Sequence, residues 1–312
     1  MSESVDAMKD DLPEWTEKAV LIYGPRKSGT TLLQNLHDGS DELVVYPSEM
    51  KLKSFICTVW GNPAEAVRTY FNHSTVIGKN FPNFSSDEYS RYVEKLCSFK
   101  INSLREVIQR DLLGVYKNIN KKPTSPSFLV VKEVGGPTTS IVSFWRQLFF
   151  SGKVIMILRD PTMVTRSVIL DRRRKGRKLS VREIYYQTKA PIKVLSEQLG
   201  MVNDPGIHFL LYEQLTENPE ETMRQICSFI GVKYKESFSY PSIFGEKVIT
   251  TTSSQKTNKV FKSNKKWHND LSIVEKTAVF LFSKILMFKL ISTKMNRMFV
   301  PYHELVAGVR NS

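Results

Sequence analysis

The chain has 312 residues with 45 Lys+Arg against 31 Asp+Glu, a formal charge of +14, so it can hold one large α/β domain and its basic balance points to anionic partners: nucleotide phosphates, nucleic acid, a membrane surface or an acidic polymer. With 41 % hydrophobic and 24 % charged residues, it is neither a disordered chain nor a fibrous repeat. Its three widely spaced cysteines, Cys57, Cys97 and Cys227, make neither a disulfide framework nor a zinc cluster.

The charge excess sits in two segments. Residues 153–189 carry 11 Lys/Arg against Asp160, Asp171 and Glu183, and residues 247–267 carry six lysines and no acid. The rest of the chain is neutral, with 28 residues of each sign. The N-terminal stretch MSESVDAMKDDLPEW is acidic and polar, which predicts no secretory leader and a cytoplasmic location.

In chain order, short uninterrupted apolar runs predict buried strands at Ala19–Tyr23, Leu43–Tyr46, Phe128–Val131, Val154–Leu158 and His208–Leu211. Between them, helical patterns cover about 30–38, 63–71, 86–114, 138–150, 161–174, 180–200 and 217–230. A last helix opens at Ser272-Ile273-Val274-Glu275, a capping-box pattern. This βαβ succession predicts the α/β class: a single domain over 19–312, after an N-terminal segment 1–18, with a doubly wound parallel sheet of about five strands and helices on both faces. Its C-terminal helical region spans about 270–312. There the apolar stretch Thr277 to Pro301 is broken by Lys284, Lys289, Lys294 and Arg297, so a packed or surface-lying helix is expected and no transmembrane segment.

The first strand runs into Gly24-Pro25-Arg26-Lys27-Ser28-Gly29-Thr30-Thr31. A glycine-rich turn between strand and helix offers backbone N–H groups and the positive helix end to an anion. Gly24 and Gly29 have the spacing of a nucleotide-kinase phosphate loop, but Thr30 stands where the kinase lysine would be, and the lysine comes earlier, at Lys27. Far along the chain, Val154–Leu158 leads into Arg159-Asp160-Pro161 and then Ser167. Asp160 suits a helix N-cap and Pro161 a first helical turn, which leaves Arg159 at the carboxyl edge of the sheet, where α/β proteins bind ligands.

These two motifs, with Tyr212-Glu213-Gln214-Leu215 and Asn218-Pro219 after the fifth strand, resemble sulfotransferases that use 3′-phosphoadenosine 5′-phosphosulfate (PAPS) and release 3′-phosphoadenosine 5′-phosphate (PAP). The resemblance spans about residues 19–275 and implies a P-loop NTPase-like sulfotransferase fold and metal-independent transfer. By it, Arg26, Lys27, Ser28, Gly29, Thr30 and Thr31 hold the 5′-phosphosulfate, and Arg159 and Ser167 hold the 3′-phosphate. Tyr212 reaches the nucleotide or packs in the core. Lys262, Ser263 and Trp267 belong to a basic lid over the nucleotide.

The cytosolic branch of that family takes a histidine base two residues after a lysine leaving the third strand. Here Val134 stands two residues after Lys132, so that route is closed. The segment Val44-Val45-Tyr46-Pro47-Ser48-Glu49 is similar to the glutamate-base branch, which includes heparan and tyrosylprotein sulfotransferases. That similarity makes Glu49 the expected base, Glu133 the runner-up, and Lys132 a partner of Lys27 in stabilising the transferring group. The five histidines (His37, His73, His208, His268, His303) show no metal spacing, and no metal is expected.

The run Arg172-Arg173-Arg174-Lys175-Gly176-Arg177-Lys178 is either a solvated turn or a rim attracting an acidic acceptor. A non-enzymatic polyanion- or nucleic-acid-binding protein, or a nucleotide kinase, are the alternative functions; with a sulfotransferase no nucleic acid is expected. The acceptor is a small molecule, carbohydrate or peptide, acidic ones included. Its aromatic contacts would come from Phe55, Trp60, Tyr70, Phe71, Phe81, Phe84, Tyr89 and Tyr92, unless these form core.

Overall fold

A computed structural model describes residues 18–38, 40–52, 84–85, 87–89, 91–92, 103–119, 128–247, 250–251, 256–257 and 270–294. Five parallel strands form the central sheet: β1 (Ala19–Gly24), β2 (Leu43–Glu49), β3 (Phe128–Val134), β4 (Lys153–Leu158) and β5 (Ile207–Leu211), in the order β2-β3-β1-β4-β5. Strand alternation sorts the apolar side chains onto two faces. Leu21, Tyr23, Val44, Leu129, Val131 and Met156 face one core, where they meet helices α2 (Leu104–Asn118) and α3 (Thr138–Leu148). Val20, Ile22, Val45, Val130, Ile155 and Ile157 face the other, against α1 (Thr30–His37) and α7 (Pro219–Ile230). Both faces are therefore covered, as the expected doubly wound sheet requires. Cys227 lies buried on α7 within that second core.

Helix α4 (Pro161–Arg174) starts as expected, with Asp160 accepting a hydrogen bond from the Thr162 amide at 2.7 Å and Pro161 in the first turn. It packs on α5 (Val181–Leu199) and on the C-terminal helix α8 (Ile273–Lys294) through Ile169, Ile184, Leu271 and Val279. The capping box of α8 forms: Ser272 N–H donates to Glu275, and Glu275 N–H donates to Ser272 Oγ. The outward face of α8 carries Ile273, Phe280, Leu281, Ile285 and Phe288, all exposed. Among the described residues no helix is long and apolar enough to cross a membrane.

Three boundaries differ from the sequence reading. Of the helical stretch expected over 86–114, residues 87–89 and 91–92 are helical, 93–102 lie outside the described residues, and α2, where the Ser103 side chain caps the Glu106 amide, runs on past 114 to Asn118. The one expected over 217–230 begins at Pro219, as α7, and a short helix α6 (Tyr212–Glu217) absent from the sequence reading precedes it; the two are separate because proline pushes the preceding residue out of helical geometry, and Asn218 before Pro219 has φ −134. Strand β2 continues past Pro47 to Glu49, through a register shift between Val45 and Glu49. Proline has no N–H for the ladder, so a bulge there is the physical outcome. The helix expected at 63–71 lies outside the described residues.

Candidate active site

Each strand of the sheet delivers one feature to its carboxyl edge: β1 the phosphate-type loop, β2 Glu49, β3 Lys132, β4 Arg159 and β5 Tyr212. The loop closes with Ser28 N–H bonded to the Pro25 carbonyl at 3.1 Å, and the first i→i−4 bond of α1 runs from Leu33 to Gly29 at 3.0 Å. The amides of Thr30, Thr31 and Leu32 therefore precede the helical ladder, with no side-chain cap and no acid in the first turn to occupy them. Ser28 is fully buried, and its hydroxyl has no hydrogen-bond partner. Gly29 has φ +101, and a Cβ on it would fall 2.3 Å from the Tyr212 ring. Only glycine satisfies both the backbone and the packing.

Arg159 sits between the loop and Tyr212. Its guanidinium lies 3.9 Å from the ring centroid and donates to the Lys27 carbonyl, while its Nε is buried without a partner. Lys27 itself has φ 67, a left-handed conformation that costs a non-glycine residue about 1 kcal/mol or more. Ser167 is buried on α4, and one turn further on that helix Asp171 accepts a hydrogen bond from Lys27 Nζ at 2.9 Å. Arg26, Arg174 and Lys175 close on the same carboxylate at 3.8, 3.6 and 3.2 Å. Burial pushes the Asp171 pKa up, but the hydrogen bonds from Lys27 and Lys175 outweigh it and hold the group at about 2.

On the other side of the loop, Lys132 is buried and donates to Thr31 Oγ1 at 3.0 Å, tying β3 to the first turn of α1. Glu49 is its ladder partner across the β2–β3 pair. Burial lowers the Lys132 pKa, against an opposing pull from Glu49 and Glu133. Glu133 points to the opposite face of the sheet from Lys132, and its carboxylate accepts from the amides of Leu52 and Val134. Burial, and then the charge of Glu49, raise its pKa to about 8. Glu133 thus braces the segment leaving β2.

The bulge that presents Glu49 has a second brace. Gln34 on α1, itself buried, donates its amide to the carbonyls of Tyr46 and Ser48, the latter at 3.1 Å. Neither Gln34 nor Asp171 stands out in the sequence pattern. Asp171 could have been found from its spacing: four residues after Ser167, it shares that residue's helix face. Gln34 offers no such signal, because its partners are carbonyls exposed by an irregular strand.

Of the other expected site residues, Arg26 is half exposed, Thr30 is buried and Thr31 holds Lys132. Lys262, Ser263 and Trp267 lie outside the described residues, as do Phe55, Trp60, Tyr70, Phe71 and Phe81. Phe84 and Tyr89 are buried in the core, and Tyr92 packs against it. The basic run is largely engaged within the chain: Arg173 donates to the Asp270 carbonyl and to Glu275, Arg177 pairs with Glu183, and Arg166 on the same helix pairs with Asp270. The Arg166 and Arg173 contacts fasten the start of α8 to α4. Among the described residues no group of three or more His, Cys, Asp or Glu is gathered as a metal site.

A parallel α/β sheet carries here a phosphate-type loop at a helix N-terminus flanked by Lys132 and Arg159, and the chain matches the family model of the sulfotransferase domain over residues 17–285. It belongs to that family and is an enzyme of the sulfuryl-transfer class. No curated protein matches it. Among solved structures it is similar to the sulfotransferase domain of the Synechococcus PCC 7002 olefin synthase, at 15 % identity, with 86 % of this chain and 94 % of that chain covered and a TM-score of 0.49. The sulfotransferase domain from the curacin biosynthetic pathway is 18 % identical, with 94 % and 95 % covered and a TM-score of 0.48. A mouse sulfotransferase, SULT7A1 complexed with PAP, is 12 % identical, with 99 % and 94 % covered and a TM-score of 0.42.

Proposed function

We propose that this enzyme takes PAPS as donor and transfers its sulfuryl group to a hydroxyl of a small-molecule, carbohydrate or peptide acceptor. The observation that carries this reading is the uncapped N-terminus of α1, flanked by Lys132 on Thr31 and by Arg159 on the Lys27 carbonyl. A helix N-terminus with flanking cations fits a phosphosulfate, whose charge is lower than that of a nucleotide triphosphate. The unpaired Nε of Arg159, the buried Ser28 hydroxyl and the Tyr212 ring are the further groups suited to the nucleotide.

In the proposed step, Glu49 takes the proton of the acceptor hydroxyl as its oxygen attacks sulfur. The new S–O bond forms in line with the S–O bond to the 5′-phosphate, which breaks, and PAP leaves with the bonding pair. Lys27 and Lys132 stabilise the negative charge on the sulfuryl and bridging oxygens. Glu49 is favoured over Glu133 as base because both Glu133 oxygens already accept backbone N–H bonds. Isothermal titration with PAP, with and without magnesium, tests the donor assignment: tight binding independent of magnesium is expected, and no binding overturns it. A panel of acceptors with labelled PAPS then identifies the acceptor.

A further inference from the structure

The two lysines that the proposed transfer brings to one sulfuryl group are held by different partners in this structure: Lys132 by Thr31, Lys27 by Asp171. Asp171 is an unexpected residue at its place. It lies in the last turn of α4, where the negative end of the helix dipole disfavours an acid. Two of its cations, Arg174 and Lys175, are neighbours three and four residues on, the ordinary pairing of a helix surface. The other two come from the phosphate-type loop, 144 residues away in sequence for Lys27, and the Lys27 contact is the shortest of the four.

Lys27 is thereby fixed at both ends: Arg159 holds its carbonyl, in a left-handed backbone that needs support, and Asp171 holds its ammonium on the α4 side of the loop. We propose that Asp171 is a positioning residue for the transfer, an internal counter-ion that the donor's anion must displace to recruit Lys27. This rests on the donor assignment made above. The exchange leaves no orphaned charge. When Lys27 turns to the donor, Asp171 keeps Arg174 and Lys175, so its desolvated carboxylate stays paired. The Lys27 side chain is 29 % exposed and that of Asp171 12 %, so the partner that leaves is the one water reaches, while Asp171 keeps its place beside Arg174 and Lys175. Asp171 stays ionised throughout the working pH range, so this restraint is set by ligand charge and not by protons.

The test is a double-mutant cycle read by PAP titration. Removing the competing carboxylate in Asp171→Asn tightens PAP binding about five-fold, the upper end for a partly exposed pair. Asp171→Glu keeps the charge and stays near wild-type affinity. In a Lys27→Met background the same Asp171→Asn change alters affinity less than about two-fold, because the coupling runs through Lys27. Asp171→Ser serves as a second charge-removing variant should the asparagine protein not fold. A merely structural Asp171 gives equal or weaker binding in Asp171→Asn, and that result overturns the proposal. So does a tightening that persists undiminished without Lys27, which is general electrostatics. Failure of the wild-type protein to bind PAP takes down the donor assignment itself and this proposal with it.

Discussion

At the ends of β1, β4 and β5 the cations sit at the rim: Arg26, Lys27, Arg174 and Lys175, with side chains in part exposed to water, meet the buried Asp171 across 2.9–3.8 Å. At the ends of β2 and β3 the charges go inside, with Lys132 and Glu133 buried and each fastened by hydrogen bonds to a neighbouring element. The contrast follows from solvent. Rim pairs are screened and gain little from any one geometry, so a charged ligand can rearrange them. Buried charges are tolerated only with fixed partners, so they do not move. The first half suits capture of an anion that arrives and leaves. The second suits a reaction step, where groups aimed in advance lower the barrier.

The sharpest break between the halves is Glu49→Gln. Loss of the proposed base is expected to lower turnover about 10²- to 10⁴-fold, while PAP affinity stays within about two-fold of wild type, because the proposed binding groups lie on the other strands. Single-turnover assays with labelled PAPS beside PAP titration separate the two quantities. Full activity in that variant would transfer the base to Glu133. Lys27→Ala acts on both halves: PAP binding is expected to weaken about ten-fold, the worth of one charged hydrogen bond, and turnover to fall further, because the same lysine is proposed to stabilise the transferring group. Wild-type turnover in that protein would remove Lys27 from the reaction.

Gln34→Leu tests whether the inner half is rigid by construction. It withdraws the donor from the buried carbonyls of Tyr46 and Ser48, at a cost of about 1–3 kcal/mol in unfolding free energy. Turnover falls with the misplaced Glu49, and PAP affinity holds. Denaturant unfolding and PAP titration read these separately, and unchanged stability would mean that the bulge keeps its shape without Gln34.

The sequence carried the outer half better than the inner one. Strand, glycine turn and helix start are local patterns, so the loop from Gly24 to Thr31, the Asp160–Pro161 helix start and the Ser272 capping box are readable from neighbours a few residues apart. Lys132 and Glu49 were legible as residues, yet their ladder pairing depends on how β2 recovers its register after Pro47, which local spacing does not encode. The direction of Glu133 was not legible either: alternation along β3 sends it to the face opposite Lys132, into the amides of Leu52 and Val134. Asp171 counted as one acid in a basic run until the loop, far away in sequence, closed on it.

The last test concerns Glu133 and is read through pH. Its pKa is raised from 4.5 to about 8 on folding, so the folded chain holds a proton that the unfolded chain has already released. Stability from this group is complete below about pH 4.5, declines as pH rises toward 8, and levels off above. Buried His37 acts with the opposite sign, because burial lowers its pKa from 6.5 to about 4 and its contribution grows as pH rises to 6.5. Below pH 6.5 the two slopes oppose each other; between 6.5 and 8 that of Glu133 stands without that of His37. Thermal unfolding of wild type and Glu133→Gln at pH 5, 6.5 and 8 isolates it, since the other groups are common to both proteins. The wild-type midpoint is expected to fall relative to the variant as pH rises, by similar amounts from pH 5 to 6.5 and from 6.5 to 8. A difference that stays flat from pH 5 to 8 would mean that Glu133 is ionised in the folded chain and available as a base. A falling difference leaves it a protonated brace at neutral pH, and the proton of the acceptor then goes to Glu49.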